Sequence, residues 1–248
     1  MPTPRACTVF FADLVRSRRL GRQRAHVQEQ IRRVLNELNR RYRAAILSPF
    51  EVREGDAIRA VFANPSVLLG AWWKLDQALG AGRTRYGIGY GALTVFRSFP
   101  DDADGPAYYA ARDALAEAGR MTQRGLPGVV FRGFDSELEP IQRESPAHPV
   151  LGAISVDGNL SVIGLLMAEL RARFTPAQWV AMTYLHQDAN VTQRAVAERL
   201  AVSEPAISKR LRAAAWPSYR EAEETMTVLL AAFDRTQAWH SETRRKHE

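Results

Sequence analysis

Three observations predict an α+β chain in two parts. A nearly continuous apolar run at residues 6–14, ACTVFFADL, ends in an acid, and strand and helix patterns then alternate up to about residue 132. Beyond about residue 159 every periodic segment is helical. The first part reads strand, helix, strand, strand, helix, strand, with a helix and a strand appended. A βαββαβ order is that of a ferredoxin-like domain, in which the first and third strands lie side by side. The second part is all-α and includes residues 192–212, TQRAVAERLAVSEPAISKRLR, which have the layout of a helix-turn-helix. The expected units are therefore 1–137, a linker at 138–158 and a helical unit at 159–248.

The opening run suits a central strand buried on both faces, with Asp13 at its carboxyl end. Over residues 22–46, Val27, Ile31, Val34, Leu35, Leu38, Tyr42 and Ile46 recur at helical spacing among Arg, Gln, Glu and Asn, which marks an amphipathic helix. Residues 50–53 and 58–62 read as strands joined by Glu54-Gly55-Asp56, a hairpin signature. Asn64-Pro65-Ser66 starts a helix to residue 79 that buries Leu68, Leu69, Trp72, Leu75 and Leu79. Residues 84–94 form a glycine-rich strand that admits a close backbone or ligand. A helix at 107–118 and a strand at 129–132 complete the unit.

With the first and third strands adjacent, Asp13 falls beside the hairpin, and Asp13 and Asp56 become neighbours. Two such carboxylates repel unless a cation or proton relieves them. Oxygen-only ligands of this kind suit Mg²⁺ or Mn²⁺, which in turn bind phosphates. In the plainer alternative Asp56 serves a turn and Asp13 caps the first helix.

After a stretch rich in Pro, Ser and charge, which marks the linker, LSVIGLLMAELRARF and PAQWVAMTYLHQ read as helices, the second capped by Thr175-Pro176. Trp179, Met182 and Leu185 are expected to pack on the two-helix unit, and a long helix follows Trp216-Pro217. Within that unit Val196, Leu200, Val202, Ile207 and Leu211 fall where two crossed helices bury a shared face. Thr192 and Ser203 are N-caps, and Glu204 and Pro205 suit a first turn. Ala201 holds the turn position where Gly is usual, at a strain of about 1 kcal/mol. Ser208, Lys209, Arg210 and Arg212, with Thr192, Gln193, Ser203 and Glu204, are the expected contacts to double-stranded DNA. The alternative is a helical hairpin that only packs. One reader contacts few bases, so a homodimer on a palindromic site is expected, with helices near 160–170 and 225–233 as the pairing surfaces.

The net charge of +7, with Arg greatly outnumbering Lys, favours an anionic partner. Cys7 is alone, which excludes an intramolecular disulfide. No stretch approaches the ~20 apolar residues that span a bilayer, and no signal peptide is evident, so a cytoplasmic protein without membrane contact is expected. The five His residues lack zinc spacing, and neither a P-loop nor a nucleophile elbow is present.

FFADL, GDAIRAVF, RYGIGYGAL and GPAYYAARDA resemble, in order and spacing, the class III nucleotidyl cyclase domain. The resemblance implies that Asp13 and Asp56, the acid after Gly55, hold metal ions and that Arg112 stabilises the transferring phosphate. The chain also resembles the SatD family over its whole length: Asp13 followed by Ser17-Arg18, the Gly-Asp hairpin, the 104–112 segment DGPAYYAAR and a carboxyl-terminal helix-turn-helix. It departs from cyclases in two places. Val52 stands where a purine-reading Lys is usual, and Tyr108 where an Asn accompanies the Arg. The resemblance therefore implies a cyclase-like domain that binds a nucleotide, with Mg²⁺ or Mn²⁺, without efficient turnover, attached to a DNA-binding regulator. The alternatives are an active cyclase or other phosphoryl-transfer enzyme tethered to DNA, and a scaffold whose helices bind protein. Arg112 also reads as a buried Arg paired with Asp104 or Asp113, and Tyr108-Tyr109 as core or as a base-stacking pair.

Overall fold

The apolar run becomes β1 (Arg5–Leu14), the strand on which the sheet is built. The computed structural model describes residues 5–15, 21, 24–53, 57–95, 102–135, 155–188 and 190–245. The elements that follow are α1 (Arg24–Arg41), β2 (Ile46–Arg53), β3 (Ala57–Phe62), a 3-10 turn (Pro65–Val67), α2 (Leu68–Leu79), β4 (Thr84–Val95), β5 (Ala103–Asp104), α3 (Pro106–Gln123) and β6 (Val129–Arg132). The sheet runs β2-β3-β1-β4-β5, with β6 parallel to β4. β1 lies antiparallel between β3, with Ala12 opposite Ile58, and β4, with Asp13 opposite Arg85.

Alternation along β1 separates two cores. Phe10, Ala12 and Leu14 join the residues of α1 and α2 on one face, while Cys7, Val9 and Phe11 meet Ala107 and Ala111 of α3 on the other. The glycines of β4 make the second contact possible. A Cβ at Gly87 or Gly89 would fall inside the α3 backbone at Leu115 or Ala111. The close backbone expected over this strand is therefore that of α3.

Three boundaries differ from expectation. α1 ends at Arg41 rather than residue 46, because Ala45 and Ile46 donate back to the Tyr42 carbonyl at 2.8 and 3.1 Å and Ile46 then pairs with Phe62. Ile46 fits the helical spacing but starts a strand. α3 runs to Gln123, past 118, since Ala118 and Met121 pack with Ala114 on Val130. The first carboxyl-terminal helix starts at Val156, ahead of residue 159, because Ser155 accepts the Gly158 N–H at 2.9 Å as its N-cap.

That helix, α4 (Val156–Ala172), is followed by α5 (Pro176–Gln187), α6 (Gln193–Arg199), α7 (Glu204–Ala213) and α8 (Trp216–Arg245). Leu160, Met167, Met182, Tyr219, Met226 and Leu230 belong to the same core as α1 and α2, so the sheet and the carboxyl-terminal helices share one apolar interior. Trp73 of α2 stands at the junction, with Trp179 at 4.8 Å, Tyr219 at 5.5 Å and the His186 ring stacked at 4.3 Å. Trp179 thus meets the sheet unit at Trp73, and Met182 is buried.

Beside Trp73 lies a buried ion pair. Arg171 of α4 and Asp76 of α2 are 0% and 2% exposed and 3.1 Å apart. The guanidinium lies 3.7 Å from the Trp72 ring centroid, and the Tyr86 hydroxyl donates to Asp76 at 2.6 Å. Burial pushes the Asp76 carboxyl up, against the pull of Arg171 and the Tyr86 hydrogen bond.

α6 and α7 are joined by a short turn in which Ala201 has a φ of 50°, and Val196, Ala197, Ile207 and Leu211 are buried between them and their neighbours. Among the described residues no helix is long and apolar enough to cross a membrane.

Candidate functional site

Asp13 follows Cys7, Val9 and Phe11 on the α3 face of β1, near the sheet end where β3 begins. Its partner comes from the neighbouring strand. Arg85 donates through Nε to Asp13 Oδ2 at 3.1 Å and through Nη2 to the same oxygen. Both side chains are partly open to solvent. Gly119 of α3 makes room for the guanidinium, since a Cβ there would stand 2.9 Å from Arg85 Nη1.

One register step along, Arg59 of β3 lies opposite Phe11, with its guanidinium 5.2 Å from the ring centroid. Tyr108 of α3 meets the same ring edge-on at 5.5 Å. Tyr109 is 44% exposed, and its hydroxyl donates to Asp104. That hydrogen bond raises the Tyr109 pKa. Arg112 lies over the Tyr109 ring at 5.3 Å. Guanidinium groups thus lie on aromatic rings at two places, Arg59 on Phe11 beside Asp13 and Arg112 on Tyr109 near the start of α3.

Several expectations are corrected here. Arg112 is not buried: it is 62% exposed and its Nε stands 3.8 Å from Asp113, because its position on α3 turns away from β4. The tyrosine pair divides, with Tyr108 half-buried on Phe11 and Tyr109 outside. The Asp13 carboxylate is engaged across the strand by Arg85, and the residues that lead into α1 lie outside the described ones. Gly55 and Asp56 lie outside the described residues, as does the pairing expected between Asp56 and Asp13. Among the described residues no group of three or more His, Cys, Asp or Glu side chains could hold a metal. Arg85 was missed in the sequence. The βαββαβ order, which sets the fourth strand beside the first, was the signal that could have found it.

The residues expected to meet DNA lie on α6, α7 and their caps. Thr192 Oγ1 accepts the Ala195 N–H at 3.2 Å, and Ser203 Oγ accepts that of Ala206 at 3.3 Å. Gln193, Glu204, Lys209 and Arg212 are exposed, Ser208 and Arg210 half-buried. α7 is anchored by Ile207 and Leu211, so Lys209 and Arg212 project from its outer side. Neither has an acidic partner among the described residues. Arg210 is fixed through its carbonyl, which accepts from Gln178 of α5 at 3.4 Å.

A sheet with helices on both faces, joined to a helical bundle by a common core, defines a mixed α/β protein. Residues 8–141, more than half of the chain, match the SatD family, and the chain belongs to that family. Among solved structures, two of a bacterial light-regulated adenylyl cyclase are similar at 16% and 15% identity, with TM-scores of 0.38 and 0.36. Each comparison covers 53% of this chain and 44% of the other, so the chain spans less than half the length of those proteins. No curated protein matches the chain.

Proposed function

We propose that the chain is a DNA-binding transcriptional regulator, in which α6 and α7 form a helix-turn-helix and the sheet unit is a degenerate, ferredoxin-like cyclase domain that senses a nucleotide. The observation that carries the reading is the pair Lys209 and Arg212, exposed and, among the described residues, without acidic partners on a helix whose other face is buried. Cations held in this way on a packed helix suit phosphate and base edges in a major groove. The cap at Ser203 and the positive φ at Ala201 support the turn that such a unit requires.

The nucleotide reading is supported by the guanidinium groups of Arg59 and Arg112, which can meet phosphates, and by the exposed ring of Tyr109. Any Mg²⁺ or Mn²⁺ brought by the nucleotide would compete with Arg85 for Asp13, which fits sensing better than turnover. Homodimerisation would place two copies of α7 on a palindromic site, and a nucleotide that altered the pairing would alter their spacing.

The test is a gel-shift series with DNA fragments selected for binding. Lys209→Ala with Arg212→Ala should weaken binding by about 10- to 100-fold, and binding that persists unchanged would refute the assignment of α7. Calorimetry with ATP and GTP, with and without Mg²⁺, on Arg59→Ala protein reads the sensing site separately.

A further inference from the structure

On the face of the sheet opposite Asp13, α1 and β2 line a half-open cavity of about 410 Å³, within the range of small-molecule sites. Its floor is apolar, made by Ile31 and Leu35 of α1 and by Phe50 and Val52 of β2. β2 ends the sheet, so one side of this strand has no strand beside it. At Phe50 that side is closed by a side chain of α1. Asn39 Oδ1 accepts the Phe50 N–H at 2.7 Å, and its Nδ2 donates to the Phe50 carbonyl at 2.9 Å. One planar amide thus stands in for a neighbouring strand over one residue.

The same edge continues into the cavity. Peptide groups of an antiparallel ladder alternate in direction, so those of Glu51 and Arg53 face β3 and those of Val52 face outward with Phe50's. Val52 is 37% exposed and, in the register of β2, opens on the cavity rather than on the Arg59 face. One turn before Asn39 on α1 stands Asn36, with Gln28 beyond it, and neither side chain hydrogen-bonds to the described residues. At the mouth Glu51 pairs with Arg53 at 3.0 Å, while Arg32 shares Glu29, at 3.4 Å, with Arg33, at 3.0 Å.

We infer that this cavity binds a compact, neutral, planar amide or lactam, whose adjacent donor and acceptor meet the Val52 peptide group as Asn39 meets that of Phe50. The apolar floor takes the flat body of the ligand, and Asn36 and Gln28 bound the polar end. The apolar floor and the amide side chains of Asn36 and Gln28 favour an uncharged molecule, which sets this site apart from the Arg59 and Arg85 face of the sheet. The inference stands independently of the nucleotide reading.

Benzamide is a suitable probe, followed by the backbone amide signals of Val52 and Asn36 in ¹⁵N-labelled full-length protein. Benzamide should shift both signals saturably. N,N-dimethylbenzamide, of similar shape but without a donor, should bind about tenfold more weakly. Leu35→Trp, which fills the floor, should abolish the shifts. Val52→Pro, which removes the outward N–H on an edge strand where proline is tolerated, should abolish the Asn36 shift. Equal binding of the two amides, or shifts centred elsewhere, would overturn the assignment, and that comparison uses the unaltered protein, so it does not depend on a variant folding. ATP should leave the Val52 signal unmoved, and displacement of benzamide by ATP would also count against the inference.

Discussion

Replacing Asp76 by alanine takes away, among the described residues, the carboxylate paired with the buried charge of Arg171, which then keeps only the more distant pull of Glu223. Asp76 stands 3.1 Å from Nη2, outside the hydrogen-bond direction, so the pair holds through charge together with the stacking of the guanidinium on Trp72. Breaking a buried pair from one side costs about 3–5 kcal/mol, because the remaining charge is left uncompensated in a low dielectric. The Tyr86 hydroxyl also loses its acceptor, which adds about 1 kcal/mol. With a urea dependence of about 3 kcal/mol/M, the midpoint for Asp76→Ala should fall by about 1–2 M. Urea unfolding followed by circular dichroism measures this directly. The paired replacement Asp76→Leu with Arg171→Met should recover much of the loss, since an apolar pair of similar volume removes both desolvation costs. The reasoning fails if Asp76→Ala loses less than about 1 kcal/mol, or if the two replacements together cost the sum of the singles.

Three further outcomes are expected. Ala201→Gly should raise the melting temperature, because Ala at a φ of 50° carries about 1 kcal/mol of strain that Gly does not; a lower melting temperature would mean that the turn is unstrained. Gly89→Ala should destabilise by about 3 kcal/mol or more in the same urea assay, since its Cβ meets the α3 backbone and not a side chain that can move. Burial pushes Glu223 up, but the hydrogen bond and charge of His186, then Arg220 and Arg171, hold its carboxyl below the usual range. A lowered folded pKa gives stability that is present above the unfolded value and lost as the pH falls through the folded one. Below about pH 4.5 the wild type should therefore lose stability more steeply than Glu223→Gln, and parallel pH profiles would exclude the effect.

The legible parts of this fold were those in which burial is periodic. The apolar run of β1, the stripe of α2 and the caps at Thr175, Thr192 and Ser203 follow from residue type and spacing, and the structure places them so. Ile46 misled because an apolar residue at i+4 from Tyr42 satisfies a helix as well as the first pair of a strand. At the candidate site Asp13 could be singled out in sequence, whereas Arg85 could not without first committing to a strand order. Arg171 was hidden for a different reason. At the polar end of a helix, ELRAR, an Arg looks solvated, and nothing local signals that α2 offers Asp76 and Trp72 to receive it.

The packing around Trp73 has an optical consequence. Trp73 touches Trp179 and Trp216, and the His186 imidazole lies flat on its ring, so three of the five tryptophans report on one spot between the sheet and the helical bundle. Protonated imidazole quenches indole emission, and indoles this close exchange excitation energy. Intrinsic fluorescence of the unlabelled chain is thus a local gauge of how α2 sits against α5 and α8, and it is available to follow any ligand that makes the two halves move.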